Sequence, residues 1–130
     1  MSSAATPFQD IDRVVRALDA DFIRNANAKD AAAITDGFYA EDAQLLPPGA
    51  PPIRGRAAIR AFWEVFLTKG ATDILLDTEQ VVASGDLAYG TGRYEMTMGG
   101  ERHEGKYVVV YRRQEDGGYR AVVDAFNSNA

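Results

Sequence analysis

The sequence predicts an α+β domain in which three N-terminal helices pack on one face of a cone-shaped, curved antiparallel sheet. Three observations carry that expectation. Helical periodicity is confined to the part of the chain before Gly70, the part after it reads as four long strands, and a proline-rich stretch with one short strand separates the first two helices from the third. No repeat, low-complexity segment or linker interrupts the 130 residues, so one domain over residues 7–130 is expected behind a flexible tail at residues 1–6. At that length roughly two-thirds of the unfolded surface can be buried, enough for a core without metal or disulfide staples.

Thr6-Pro7-Phe8-Gln9 has a hydroxyl cap, proline at the first helical position and Gln three residues after the cap, the pattern of a capping box. Phe8, Ile11, Val15, Leu18 and Phe22 then form one apolar stripe that runs to about Ala26, with Asp10, Asp12, Arg13 and Asp19 assigned mostly to the other faces. Asp30 can cap a second, shorter helix with Ala31, Ile34 and Phe38 inward. From Tyr39 to Trp63 the chain holds four of its five prolines, which lock the backbone into extended and turning conformations. A short strand from Ala43 to Leu46 stops at Pro47-Pro48-Gly49, because proline lacks the amide that a ladder needs. The third helix starts near Arg56, with Ile59, Phe62, Trp63, Phe66 and Leu67 on one face and Gly70 as its stop.

The remaining strands are Thr72 to Ala83, Leu87 to Met98, Arg102 to Arg113 and Tyr119 to Phe126, joined by turns containing Gly85, Gly99-Gly100 and Gly117-Gly118. Such short connections make antiparallel neighbours. The interior glycines Gly90 and Gly92 signal strong bending or close backbone approach. A sheet curled in this way and closed by helices encloses a hollow.

Composition narrows the chemistry. Without cysteine there is no disulfide framework, thiolate zinc site or thiol nucleophile, and the lone His103 weakens metal and catalytic-triad readings. Lys plus Arg total 14 against 19 Asp plus Glu, a net charge of -5 with no basic cluster, so nucleic acid is not an expected partner. No signal-peptide pattern or run of 18 apolar residues is present, which makes a cytoplasmic protein with no membrane partner the default expectation.

Several segments together resemble a known family. They are Tyr-Ala-Glu-Asp-Ala at 39–43, the Pro-Pro-Gly elbow, Gly-Arg-Ala-Ala-Ile-Arg-Ala-Phe-Trp at 55–63, Gly-Asp-Leu-Ala-Tyr at 85–89, Gly-Lys-Tyr-Val-Val-Val-Tyr-Arg-Arg at 105–113 and Asp-Ala-Phe-Asn-Ser at 124–128. They resemble the SnoaL-like, ketosteroid isomerase-like branch of the nuclear transport factor 2-like superfamily. The resemblance implies a cone-shaped fold with a pocket between sheet and helices, and a homodimer formed through the outer sheet face. It does not imply one reaction, since one fold hosts many. In the isomerases a carboxylate moves the proton while a tyrosine and a protonated acid hold the enolate oxygen. The resemblance places these three groups at about Pro47, Phe22 and Val109, all apolar here, so the isomerase catalytic groups are not present.

Polar chemistry is then expected on the later strands. With alternating faces, Val109 shares the inner side with Tyr107 and Tyr111, the last strand turns Val122, Asp124 and Phe126 inward, and the second long strand points Tyr89, Thr91, Arg93 and Glu95 toward the hollow. A slip of one residue would reverse each assignment. Asp124 stands out, because a carboxylate in an apolar strand must find a partner or take up a proton. It reads either as a general base or ligand anchor, or as a structural carboxylate capping an amide or paired with Arg93. Arg93 could orient an anionic group, and Tyr111 offers a hydroxyl in an apolar wall.

Asp124, Arg93 and Tyr111 are therefore the candidate catalytic residues. Phe22, Phe62, Trp63, Tyr89, Tyr107, Val109, Val122 and Phe126 are the candidate pocket lining. Three functions fit: a small enzyme doing isomerase, lyase or hydrolase proton transfer on an apolar metabolite with no metal or organic cofactor, a non-catalytic binder of such a molecule, or a dimerisation domain whose hollow is incidental.

Overall fold

The computed structural model describes residues 10–130. The cap at Thr6, the apolar position Phe8 and the tail at residues 1–6 lie outside the described residues. Three helices, α1 (Ile11–Asn27), α2 (Ala31–Phe38) and α3 (Arg56–Leu67), pack on a curved, unclosed sheet. Its six strands are β1 (Tyr39–Leu46), β2 (Ile53–Arg54), β3 (Thr72–Ser84), β4 (Leu87–Met98), β5 (Glu101–Arg113) and β6 (Tyr119–Ser128), in the order β2-β1-β6-β5-β4-β3.

Local chemistry sets the helix ends. The Asp10 carboxylate accepts from the Arg13 amide at 3.2 Å and starts α1, and Asp30 accepts from the Ala33 amide at 3.0 Å and starts α2. The end of α1 is tied to the open edge of the sheet. The Asn27 carboxamide donates to the Ile74 carbonyl at 3.1 Å and accepts from the Ile74 amide at 2.9 Å, an arrangement that mimics one more strand residue. Lys29, at a φ of 62°, donates to the Ala71 carbonyl beside it.

The sheet departs from the expected pattern in two ways. Strand β1 starts at Tyr39, four residues earlier than its apolar run suggests, and runs parallel to β6, with α3 and four strands between the two in sequence. The two-residue β2, not expected from sequence, folds back on Gln44 and Leu45 after the proline elbow. The other neighbours are antiparallel.

The core lies between helices and sheet. Val15, Phe22 and Ala26 of α1, Ile34 and Phe38 of α2, and Ile59, Trp63 and Leu67 of α3 meet Leu45, Val109 and Tyr111 from the strands. Edge-on ring pairs bind the layers together: Phe22 with Phe38 at 5.1 Å, Phe22 with Trp63 at 5.4 Å and Phe38 with Tyr111 at 6.0 Å. Such pairs contribute about 0.5–1.5 kcal/mol each beyond the area they bury.

Candidate functional site

A cavity of about 60 Å³ opens between α1, α3 and the sheet. Phe22 and Ala26 line it from α1, Trp63 and Phe66 from α3, Ile74 and Leu76 from β3, Tyr94, Glu95 and Met96 from β4, Tyr107 and Val109 from β5, and Asp124 and Phe126 from β6. It is narrower than the pockets that enclose drug-sized ligands. Its walls are almost wholly apolar, and the Asp124 carboxyl is the buried charge among them.

Asp124 is only 7% exposed. Tyr39 donates its hydroxyl to Asp124 Oδ2 at 2.6 Å, and the Trp63 indole N–H donates to the Tyr39 oxygen at 3.2 Å. This chain of donors joins α3, β1 and β6, so the Tyr39-to-Trp63 stretch supplies the support for a carboxyl at the far end of the sequence. Burial pushes the Asp124 carboxyl up to about 6, the Tyr39 hydrogen bond pulls it back, and the Asp19 carboxyl adds to the rise. Among the described residues Tyr39 is the only side chain that donates to it.

A second polar cluster backs the wall. Asp19 of α1 is 5% exposed, and its Oδ2 accepts the Thr78 hydroxyl at 2.5 Å while its Oδ1 has no partner among the described residues. The Thr78 oxygen lies 2.8 Å from the Tyr107 hydroxyl. Burial raises the proton affinity of Asp19, opposed by Thr78 and Arg16. Burial likewise raises Tyr107 above the ordinary tyrosine range.

The residues singled out from sequence divide. Asp124, Phe22, Trp63, Tyr107, Val109 and Phe126 meet at the cavity. Tyr111 turns inward but sits behind the lining, fully buried, with its hydroxyl unpartnered. Phe62 faces a shallow groove with Ile53, Ala58 and Val65 instead, stacked on Phe66 at 6.1 Å. Pro47 does not line the cavity.

Arg93 and Tyr89 point the other way from the expectation. Both are on the outer face, Tyr89 half-exposed and Arg93 in ion pairs with Asp77 at 3.5 Å, Glu79 at 4.0 Å and Glu95. The cause is at Gly92, which pairs with Tyr107. A Cβ there would stand 2.2 Å from the Asp77 carbonyl oxygen and 2.7 Å from the Tyr107 hydroxyl, so the glycines of β4 occupy the inner face and put the odd-numbered residues from Leu87 to Arg93 outside. Val122 also leaves the lining. Val110 pairs with Val123 but Tyr111 with Ala121, so Val122 is the extra residue of a bulge and the alternation breaks around it.

Sequence alone does not single out Asp19 and Thr78, nor Ile74, Leu76, Tyr94 and Met96. For Asp19 the signal exists, since 15, 19, 22 and 26 are one helical face and Asp19 is the polar member of it. Among the described residues no group of His, Cys, Asp or Glu could hold a metal ion, and no helix is long and apolar enough to cross a membrane.

Comparison with known proteins agrees with this architecture. The family model of the SnoaL-like domain matches residues 10–123. The chain belongs to the SnoaL-like family. Solved structures resemble this SnoaL-like domain closely in shape at low identity. An NTF2-like protein with a cystatin-like fold from Novosphingobium aromaticivorans is 23% identical with a TM-score of 0.78, covering 91% of this chain and 81% of that one. A ketosteroid isomerase-like protein from Erwinia carotovora atroseptica is 18% identical with a TM-score of 0.80, covering 95% and 99%. A domain of unknown function with a cystatin-like fold from Nostoc punctiforme is 16% identical with a TM-score of 0.82, covering 95% and 80%. These likenesses establish the fold and leave the reaction to the site. No curated protein matches the sequence.

Proposed function

We propose that this SnoaL-like domain takes an apolar small molecule into its hollow and carries out a proton transfer on it, of the isomerase, lyase or hydrolase type, with Asp124 as the general acid–base. The observation that carries this reading is a buried carboxyl on an apolar cavity wall, held through one oxygen by Tyr39 and pushed up to about 6. A carboxyl poised there is ionised at neutral pH yet a far better base than a solvated aspartate. Tyr39 fixes Oδ2, which leaves Oδ1 for the reacting proton, and Trp63 fixes the rotor of Tyr39. Arg93 and Tyr111 do not meet the cavity and take no part in this step.

The test is turnover on a panel of enolisable ketones, epoxides and β-hydroxy carbonyl compounds. For any substrate found, Asp124→Asn should lower kcat by about 10²–10⁴-fold, and kcat/KM should rise as pH passes about 6 where Asp124 ionises. Full activity in Asp124→Asn would remove the proposal. Binding that survives Asp124→Ala with no turnover would replace catalysis with sequestration.

The outer sheet face supports a homodimer. Val82, Tyr89, Val110 and Val123 stand in register across four strands, with Thr91, Val108 and Ala125 in the next row. Val82, Tyr89 and Val108 are each about two-fifths exposed, an apolar surface that a second copy of the chain would cover. Light scattering should give a dimer mass, reduced to a monomer by Val108→Glu. A monomeric parent protein at micromolar concentration would overturn this reading.

A further inference from the structure

We infer that the hollow selects an apolar ligand bearing a protonated amine, its ammonium seated against the Asp124 carboxylate and its body against Phe22, Trp63, Phe66 and Phe126. The inference rests on the reading above that Asp124 faces a ligand in this cavity, and it names the chemical class of that ligand.

Each hydroxyl has one hydrogen to donate. The Trp63 N–H is committed to Tyr39, and the Tyr39 hydroxyl is committed to Asp124. The Thr78 hydroxyl is committed to Asp19, so in the 2.8 Å contact between Thr78 and Tyr107 it is Tyr107 that donates. The Tyr107 hydrogen is thus spent on Thr78 behind the wall, and Asp124 turns a lone pair, not a hydrogen, toward the cavity. A ketone or carboxylate oxygen against that carboxylate would meet repulsion, so a carbonyl substrate would turn its C–H to Asp124 and its oxygen away, whereas an N–H donor would satisfy the carboxylate directly. Tyr94 has the remaining hydroxyl of the lining, and its ring lies over Gly105, where a Cβ would come within 2.2 Å of it.

Charge points the same way. The lining contains no Lys, Arg or His, and Asp124 is the carboxylate turned into it, since Glu95 directs its carboxylate to Arg93 on the outer face. Glu95 at the rim is already bound by Arg93 and Arg102, while Asp124 has no cationic partner among the described residues. Asp19 adds a second buried carboxyl behind the wall, with no ion pair among the described residues. A buried carboxylate is costly unless a cation accompanies it. A ligand ammonium would supply that cation, and the surrounding ring faces add attraction of their own to a positive charge. A neutral alcohol gains the hydrogen bond alone, and an anion gains neither.

The experiment uses Trp63, the single tryptophan of the chain, whose position in the lining makes its fluorescence a readout of occupancy. Benzylammonium chloride, benzyl alcohol and sodium benzoate share one apolar body and differ in the polar group. At pH 7.5 benzylammonium should bind at least about tenfold more tightly than benzyl alcohol, with benzoate weakest. At pH 5 the gap should shrink as Asp124 takes up a proton. The groups acting on that carboxyl are Tyr39 from β1, itself bonded by Trp63 of α3, Asp19 from α1, and Tyr107 and Tyr111 from β5, and none of them supplies a competing cation.

In Asp124→Asn the amine preference should vanish while alcohol affinity stays within about twofold; should that variant not fold, the wild-type comparison at the two pH values decides alone. Equal or tighter binding of alcohol or benzoate at pH 7.5 would overturn the inference, as would a preference that persists in Asp124→Asn. Amine-selective binding with unaltered turnover in Asp124→Asn would sink the catalytic reading and leave this one standing. Silence of Trp63 toward all three compounds would reject this inference and leave the catalytic reading to its turnover test.

Discussion

Asp124 and Asp19 are 7% and 5% exposed, and burial raises the proton affinity of both, yet only Asp124 meets the cavity. Asp124 sits on the sheet wall, with a phenol on one oxygen and the hollow before it. Asp19 sits on the helix wall behind the lining, held by Thr78 on one oxygen and unpartnered on the other. A ligand can therefore relieve the first carboxyl, whereas only the protein can support the second. Burial and a shifted pKa alone do not distinguish a reactive carboxyl from a structural one; access does.

The largest expected effect comes from removing the support of the sealed carboxyl. Thr78→Val deletes the donor to Asp19 and the acceptor of Tyr107 together, leaving a buried carboxyl without a donor and a buried phenol without an acceptor. The loss should be about 3 kcal/mol in urea denaturation. By contrast, Tyr39→Phe orphans the Trp63 N–H but leaves Asp124 beside a cavity that water can enter, and should cost about 2 kcal/mol. Equal costs for the two variants would break the distinction between the sealed and the accessible carboxyl.

Next is the dependence of stability on pH. The folded Asp124 pKa, about 6, lies above its ordinary value of 3.8, so between these limits the folded state holds a proton that the unfolded state has released. Its contribution is fully present below about 4 and is lost as pH rises through about 6. The wild type should lose about 2–3 kcal/mol relative to Asp124→Asn across that window. Asp19 tilts both proteins in the same direction, and the difference between them isolates Asp124. Parallel stability curves would show that Asp124 is solvated.

A smaller effect links the two carboxyls. Asp19 raises the proton affinity of Asp124, so Asp19→Asn should lower the Asp124 midpoint by a fraction of a unit, read from its carboxyl carbon resonance. An unchanged midpoint would mean that the two groups do not sense each other across the interior.

Much of the fold was legible because its boundaries are made by local chemistry. Asp30 caps α2 by its own side chain, and Gly85, Gly99, Gly100 and Gly117 take positive φ in the turns that delimit the strands. The site was legible where identity was enough, as for Asp124, a carboxyl in an apolar run. It was illegible where the answer lay across strands. Which face of β4 looks inward depends on Gly92 lying against the Asp77 backbone and Tyr107, and the place of Val122 depends on a bulge opposite Val110 and Tyr111. The parallel pairing of β1 with β6 likewise joins segments far apart in the chain. Asp19 was readable from its helical position, and its partner Thr78, 59 residues away, was not.

The smallest expected effect tests that register directly. Arg93 shares the outer face with Asp77, Glu79 and Glu95, and all four side chains contact water, so their ion pairs are screened. Arg93→Ala should leave ligand affinity within about twofold of the parent, with only a slight loss of stability that high salt abolishes. If Arg93 faced the hollow it would neutralise Asp124, and its removal would both strengthen amine binding and raise the Asp124 midpoint. A large change in either quantity, in a variant that remains folded, would place Arg93 inside and return Asp124 to the role of a paired, structural carboxylate.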